Sequence, residues 1–215
     1  MLSNFDVENL AKRMDVPLAF VGFKDDLPKT IKPNKYYMIN LEDEYGSDGE
    51  RNGGSHWTGF IVRKNGNGRI QPVYFDSYGS APPKIVSKLI EKNFHKKVDH
   101  TTKDIQSLVN DMCGWYQLAW AHFCFGQFST HDLYQDTDNF LSFFEDLEKC
   151  NDFKKNEFIL KHFFRAKDPE LQKEIPYFPD DTRVDNGNTP NFDKYTKDLK
   201  GMKIPVQADY KYNDA

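Results

Sequence analysis

The sequence has no long apolar run. No stretch approaches the roughly 20 apolar residues that a membrane-spanning helix needs, and the mean hydropathy is −0.76. The first residues, MLSNFDVENLAKRMD, carry acidic side chains and lack the apolar centre of a secretory signal. These two absences predict a protein without a membrane span and without a secretory leader.

Cysteine is also scarce. Only Cys113, Cys124 and Cys150 occur among the 215 residues, an odd number that is too low for a disulfide scaffold. We therefore expect free thiols and a reducing compartment. Each cysteine must then be judged separately, as a core residue or as a reactive group.

Charge of one sign is not in large excess. The chain has 29 Lys and Arg against 33 Asp and Glu, which gives a net charge of −4. No basic field covers the whole molecule, so nucleic acid is only weakly indicated as a partner. The local candidate is a basic cluster of His95, Lys96, Lys97, His100 and Lys103. Such charge runs are usually solvated surface.

Aromatic residues, by contrast, are abundant. The 18 Phe, 11 Tyr and 3 Trp make up 15% of the chain, and a domain of this size buries roughly 70% of its unfolded surface. From about residue 166 onward, prolines interrupt every pattern. We therefore predict one domain over residues 1–165 and an irregular C-terminal extension over 166–215, packed on the domain or tethered to it.

Hydrophobic spacing and turn residues predict an α+β fold. The Asn-Gly pairs of residues 64–69 predict a hairpin. The segment 113–126 is apolar nearly all round, which predicts a buried central helix packed on an antiparallel or mixed sheet. The predicted helices are 4–14 with Ser3 or Asn4 as cap, a helix opened by Pro82-Pro83 that ends near Asn93, 113–126, 137–149 capped by Asp136 or Thr137, and 152–165. The predicted strands are 36–41, 56–62, 71–78 and a short one near 97–102.

Cys113 is placed where a loop meets the first turn of the central helix. Unpaired amides and the helix dipole favour a thiolate at such a position, and Gly114 leaves the backbone open to a substrate carbonyl. Most single cysteines are structural, and Cys124 and Cys150, among apolar helical neighbours, are interpreted in that way. Cys113 is a candidate nucleophile because of the residues that accompany it.

A cysteine nucleophile needs a base within hydrogen-bonding reach and an acceptor that orients the base. His56 begins a predicted strand, and Asp76 ends the strand that the Asn-Gly turn pairs with it. Neighbouring strands lie about 4.8 Å apart, so an acid on one can orient an imidazole on the next. The register stays open here, and most aspartates at strand ends only begin turns. Of the other histidines, His95 and His100 are expected to be exposed, His122 to be a core residue, and His131 and His162 to have no catalytic partner.

Gln106 lies seven positions before Cys113. A side-chain amide there can reach back and donate to an oxyanion, beside the backbone N–H of Cys113. Taken alone, a glutamine in a loop is far more often an ordinary surface residue.

Taken together, these residues resemble the pattern of a known family. In chain order they are His56-Trp57, Asp76, Gln106 and Cys113-Gly114, within the segments FVGFKDDLP (20–28), NGGSHWTGF (52–60) and VYFDSYG (73–79). The set is similar to that of the adenovirus-type maturation endopeptidases, in the clan that includes SUMO and other ubiquitin-like proteases. The resemblance covers residues 5–150.

The resemblance implies a papain-like α+β fold in circularly permuted order, with the histidine before the cysteine. It implies that Cys113 is the nucleophile, His56 the general base and acid, and Asp76 the orienting acid. It also implies that Gln106 donates to the oxyanion.

The family pattern further implies a substrate groove. Trp57, with Gly54 and Gly114 as the other substrate-binding residues, would shape a narrow groove for a small residue, typically glycine, before the scissile bond. The adenoviral enzymes carry a glutamate at the position of Asp76, whereas the ubiquitin-like proteases carry an aspartate.

The activators of the adenoviral enzymes lack support in this chain. Their activating peptide is tethered to a cysteine 18 positions before the nucleophile, where this chain has His95, and no cysteine precedes Cys113. Their DNA cofactor fits poorly with a net charge of −4. We therefore expect no metal and no cofactor, and neither a peptide nor a DNA activator is supported.

The resemblance implies a viral cysteine endopeptidase that cleaves capsid and other structural precursor proteins during virion maturation. We expect a monomer from a virophage or Polinton-like DNA virus, present in the virion and in the viral factory of the host cytoplasm. Two alternatives stay open. One is a SUMO-type modifier protease with the same chemistry, and the other is a non-catalytic binding or scaffold module of the same fold.

Overall fold

The computed structural model describes residues 2–108, 110–126, 129–149 and 153–167. The helices are α1 (Asn4–Arg13), α2 (Lys84–Phe94), α3 (Cys113–Phe125), α4 (Leu133–Leu141) and α5 (Phe153–Lys167), and the strands are β1 (Leu18–Phe23), β2 (Lys35–Asn40), β3 (Trp57–Lys64), β4 (Ile70–Phe75) and β5 (Asp99–His100). Cys150 lies outside the described residues. The predicted extension over 166–215 also lies outside them, except for the end of α5.

The strands form one mixed sheet in the order β1-β2-β3-β4-β5. The inner pairs β2–β3 and β3–β4 are antiparallel, and the outer pairs β1–β2 and β4–β5 are parallel. A parallel pair requires a crossover connection, which α2 supplies between β4 and β5. The predicted α+β class is confirmed, and the sheet is mixed rather than antiparallel.

The first strand was missing from the sequence prediction. Leu18–Phe23 (LAFVGF) is apolar at every position except its glycine, so it shows neither the alternation of a half-buried strand nor helical spacing. This segment is a strand because it pairs in parallel with β2, and the pairing ends with Phe23 opposite Asn40. A local pattern does not encode that tertiary pairing.

The inner strands separate two apolar cores, one on each face of the sheet. One face packs on α1, α3, α4 and α5, through side chains such as Met38 and Phe75. The other face is covered by α2, through Val86 and Ile90. Ten of the 13 residues of α3 are buried, which confirms the prediction of a buried central helix. This helix carries Cys113 in its first turn.

Two helix boundaries illustrate how caps decide where a helix begins. Ser3, one of the two predicted caps, caps α1 and forms a capping box with Asp6. The prediction of a helix over 137–149 was wrong, because α4 runs from Leu133 to Leu141. Asp132 is its cap and accepts from the N–H groups of Tyr134 and Gln135. The side chain of Asp136, one of the two predicted caps, has a different partner.

That partner is Arg63 of β3. Both side chains are buried, and Arg63 Nη1 lies 2.7 Å from Asp136 Oδ2. The guanidinium also donates to Ser129 Oγ and to the Cys124 carbonyl, while Asp136 accepts from the N–H and hydroxyl of Thr130. The network joins the middle of the sheet to the end of α3 and the start of α4, far from Cys113 along the helix.

Candidate active site

The β3–β4 hairpin brings His56 and Asp76 to the same end of the sheet. The Asn-Gly turn lies at the opposite end, where Asn65 N–H donates to the Arg69 carbonyl over 2.9 Å. Gly59 of β3 pairs with Phe75 of β4, so His56, just before β3, lies beside Asp76, just after β4. The sequence alone did not determine this register of β3 against β4.

His56 and Asp76 are hydrogen-bonded. His56 Nε2 lies 2.8 Å from Asp76 Oδ1, and only 1% of Asp76 is exposed to solvent. The same carboxylate oxygen accepts from the backbone N–H of Tyr78 over 2.9 Å. The buried acid is thereby fixed in orientation, and it fixes the plane of the imidazole in turn.

Cys113 completes a three-residue arrangement. Its thiol interacts with His56 closely enough to raise the pKa of the imidazole, and because Nε2 of the imidazole is directed to Asp76, Nδ1 is the nitrogen left for the thiol. The backbone N–H of Trp57 lies 3.5 Å from Cys113 Sγ. The sequence prediction did not include this amide, which can stabilise negative charge on the sulfur.

The electrostatics of the arrangement favour a protonated imidazole. Burial alone would lower the pKa of His56. The hydrogen bond to Asp76 and the interaction with the Cys113 side chain, together with the negative charges of these two groups, outweigh the burial and raise the pKa of His56 to about 9. At neutral pH the imidazolium is therefore the stable form, beside an acceptor on each side.

Gln106 is buried, and its side-chain amide is hydrogen-bonded to other residues of the protein. Its Oε1 accepts from Ser77 Oγ over 2.6 Å. Its Nε2 donates to Tyr78 Oη over 3.2 Å and to the Asn110 carbonyl over 3.1 Å. The structure therefore brings Gln106 to the end of β4 that carries Asp76, with both amide hydrogens engaged.

Trp57 and Gly114 are in contact with each other and with Leu2. Trp57 is 3% exposed, and its indole N–H donates to the Leu2 carbonyl over 2.9 Å. A Cβ added at Gly114 would lie 3.0 Å from Leu2 Cδ1 and 3.3 Å from Trp57 Cδ1. The backbone at Gly114 is thus closely approached, in this structure by the side chain of Leu2.

Gly54 has a structural role in the loop that precedes His56. Its φ of +88° is the left-handed region, and a Cβ there would lie 2.5 Å from Asn40 Nδ2. Asn40 Oδ1 accepts from the N–H of Ser55 over 3.1 Å. Gly54 therefore allows the loop to pack on Asn40 immediately before the catalytic candidate His56, and its predicted contact with substrate stays a prediction.

Tyr78 is the side chain that sequence reasoning missed. Its ring stacks on the His56 imidazole, with centroids 4.5 Å apart and planes at 25°. Its position two residues after Asp76, before a Gly79 with φ of +69°, is a local signal that the chain turns back at this point. Because the chain turns back there, the Tyr78 ring lies over His56, which directly precedes the neighbouring strand β3.

The remaining candidate residues lie away from this site. Cys124 is fully buried, and burial raises the pKa of its thiol well above the ordinary range, as expected for a core cysteine. His122 is half-buried rather than a full core residue as predicted, and its Nδ1 lies 2.8 Å from the Met14 carbonyl. His95 and His100 are exposed, as predicted.

One member of the basic cluster does not belong to an open surface. Lys103 is half-buried, and its Nζ donates to the carbonyls of Leu141 and Phe144 over 2.9 and 2.6 Å. Its charge therefore caps the end of α4. The cluster proposed for nucleic acid is accordingly reduced to His95, Lys96, Lys97 and His100, which are exposed.

Two classes of feature are absent from the part of the chain that the structure describes. None of its helices combines the length and the apolar character required to cross a bilayer. No group of three or more His, Cys, Asp or Glu residues within it is arranged to hold a metal ion.

No protein-family model matches the chain, and no curated protein matches it significantly.

Proposed function

We propose that this protein is a cysteine endopeptidase in which Cys113 is the nucleophile, with a papain-like fold in circularly permuted order. The observation that carries the proposal is the chain of contacts Cys113–His56–Asp76 at one end of the sheet. These residues come from a helix N-terminus and from positions next to the ends of two neighbouring strands. A nucleophile beside a base, with the base held by an orienting acid, is what acyl transfer requires.

The first half of the proposed reaction is acylation. Cys113 Sγ attacks the scissile carbonyl carbon, an S–C bond forms, and the carbonyl π electrons move to oxygen. The backbone N–H of Cys113 and the amide of Gln106 stabilise that oxyanion. The carbonyl then re-forms as the C–N bond breaks, and His56 transfers its proton to the leaving amine. The product is a thioester on Cys113.

The second half is deacylation. His56, now neutral, takes a proton from a water molecule, which attacks the thioester carbonyl. The C–S bond breaks, Cys113 leaves as a thiolate, and His56 again carries the proton. The carboxyl product then leaves. Asp76 stays ionised and keeps the imidazole oriented through both halves.

For the biological substrate, we propose capsid and other structural precursor proteins of a double-stranded DNA virus, cut after a small residue such as glycine. Support comes from the ordered sequence motifs, and the placement of Trp57 against Gly114 fits a confined groove. The enzyme would act as a monomer without a cofactor, in the virion and the viral factory. A modifier protease with the same chemistry remains the main alternative.

The test of this substrate class is an incubation of the purified chain with capsid precursors of a virophage and, separately, with an unprocessed SUMO-type protein. Mass spectrometry then locates new chain ends. We expect cuts after glycine in the capsid precursors and an intact SUMO-type protein. Cleavage of the SUMO-type protein alone would contradict the capsid assignment and leave the chemistry in place.

The pKa of His56 predicts the pH dependence of the proposed activity. With a pKa of about 9, the imidazolium is present below pH 9 and is lost above it. Its loss removes the proton that the leaving amine needs. Measured as kcat/KM on a peptide substrate, activity should therefore fall above about pH 9.

The Asp76→Asn variant tests the cause of this fall in activity at high pH, the alkaline limb of the pH profile. Without the carboxylate, the imidazolium loses a hydrogen-bonded negative partner, so the alkaline limb should move to lower pH. Asp138→Asn, a change at an exposed residue of α4, is the matched control and should leave the profile unmoved. An Asp76→Asn profile identical to that of the wild type would remove Asp76 from the site.

A further inference from the structure

Tyr78 contacts three of the four residues of the proposed site. Its ring stacks on His56, its backbone N–H donates to Asp76 Oδ1 over 2.9 Å, and its hydroxyl accepts from Gln106 Nε2 over 3.2 Å. The sequence pattern gives this residue no role. Its contacts indicate that its hydroxyl controls whether the Gln106 amide is free to donate a hydrogen bond to a substrate.

The amide of Gln106 is fully used in this structure. An amide nitrogen carries two hydrogens, and here one is donated to Tyr78 Oη and the other to the Asn110 carbonyl. The Asn110 carbonyl can only accept, so it fixes which end of the amide is nitrogen, and the other end, Oε1, accepts from Ser77 Oγ over 2.6 Å. Gln106 can therefore donate to an oxyanion only if it breaks its hydrogen bond to Tyr78 or to Asn110.

Tyr78 is the acceptor on the side of the reacting groups. Asn110 belongs to the same loop as Gln106, whereas the Tyr78 ring lies against the imidazole that contacts Cys113. Burial, followed by the negative charges of Cys113, Asp76 and Asp104, raises the pKa of Tyr78. The hydroxyl is thus neutral at physiological pH and close to the proposed nucleophile.

We propose that Tyr78 is a positioning residue that withholds the Gln106 amide in the substrate-free protein. Its hydroxyl occupies the amide hydrogen that the substrate oxyanion takes during the reaction, and it yields that hydrogen when a substrate carbonyl enters. The inference rests on the proposed cysteine endopeptidase function. It adds a competition between an internal acceptor and the substrate for one donor.

The Tyr78→Phe variant tests the competition, because it keeps the ring and removes the hydroxyl. The probe is a short peptide aldehyde ending in glycinal. Cys113 Sγ adds to its carbonyl carbon as the carbonyl π electrons move to oxygen, and the oxygen takes the proton of His56 and remains as the hydroxyl of a hemithioacetal. One hydrogen bond contributes about 1 kcal/mol, so the aldehyde should bind roughly fivefold more tightly to the variant.

Three controls accompany this measurement. Tyr45→Phe, at an exposed tyrosine outside the site, should leave aldehyde binding unchanged. The alkaline limb near pH 9 should be the same in Tyr78→Phe as in the wild type, because the ring still covers His56. In a Gln106→Ala background, Tyr78→Phe should give no gain, since the contested donor is absent.

Unchanged or weaker aldehyde binding by Tyr78→Phe would overturn the inference, and so would an equal gain in the Gln106→Ala background. These outcomes leave the proposed function standing if the wild-type protein binds the aldehyde and cleaves peptides. A wild-type protein that does neither would overturn the function and the inference together.

Discussion

Replacement of Cys113 by alanine should reduce peptide hydrolysis by a factor on the order of 10⁴ to 10⁶, because removal of a covalent nucleophile leaves only the contribution of binding and the oxyanion donors. Neither the fold nor the amount of soluble protein should change much, since the side chain is small. The measurement is kcat/KM on a peptide that the wild-type protein cleaves, together with a thermal unfolding curve for each variant.

Cys124→Ala is the matched control for this experiment. Cys124 lies in the same helix, is fully buried and has no contact with His56 or Asp76 among the described residues. Its replacement should leave kcat/KM close to that of the wild type and lower stability slightly, by the loss of core packing. A Cys113→Ala protein that still cleaves the peptide at the wild-type rate would contradict the nucleophile assignment.

The second large effect concerns stability. Removal of one partner of the Arg63–Asp136 pair, through Arg63→Met or Asp136→Leu, should lower the free energy of unfolding by about 3–5 kcal/mol, because the remaining charge is left buried without its partner. Both side chains are almost inaccessible, at 6% and 0% exposure. Urea denaturation followed by circular dichroism measures the change.

The Arg51–Glu44 pair supplies the control for this prediction. It has the same kind of charges, but the Arg51 side chain is 62% exposed. Arg51→Met should therefore change stability by no more than about 0.5 kcal/mol. The double variant Arg63→Met with Asp136→Leu should recover part of the loss, since no unpaired charge remains. Equal effects of Arg63→Met and Arg51→Met would contradict the interpretation.

Several features of the fold were predictable because they depend on local chemistry. The Asn-Gly turn joins two short strands that are rich in apolar and aromatic residues. The helix that begins at Cys113 is apolar nearly all round, so it is stable only when it packs against the sheet. The proximity of His56 and Asp76 follows from the hairpin. In contrast, β1 depends on a long-range pairing, and the start of α4 depends on a choice between two aspartates, Asp132 and Asp136.

Other parts of the site required the three-dimensional structure. The stacking of Tyr78 on His56, the second acceptor for Gln106 and the contact of Leu2 with Trp57 join residues that no sequence period relates. Lys103 is a similar case, because a lysine in a basic run is ordinarily solvated, whereas here it binds the carbonyls at the end of α4.

The most direct test of the central claim is the covalent labelling of the protein by a short peptide that ends in a glycine-derived vinyl ester. The ester is α,β-unsaturated, with its β carbon where the scissile carbonyl carbon would be. The Cys113 thiolate adds to this carbon, the α carbon takes up a proton, and the thioether that forms is stable. Mass spectrometry of the digested protein identifies the labelled cysteine, and the time course gives the labelling rate. We predict that Cys113 alone is labelled and that His56→Ala slows the reaction at least tenfold. Labelling of Cys124 or Cys150 instead, or an equal rate in the His56→Ala variant, would contradict the proposal that His56 activates Cys113 for catalysis.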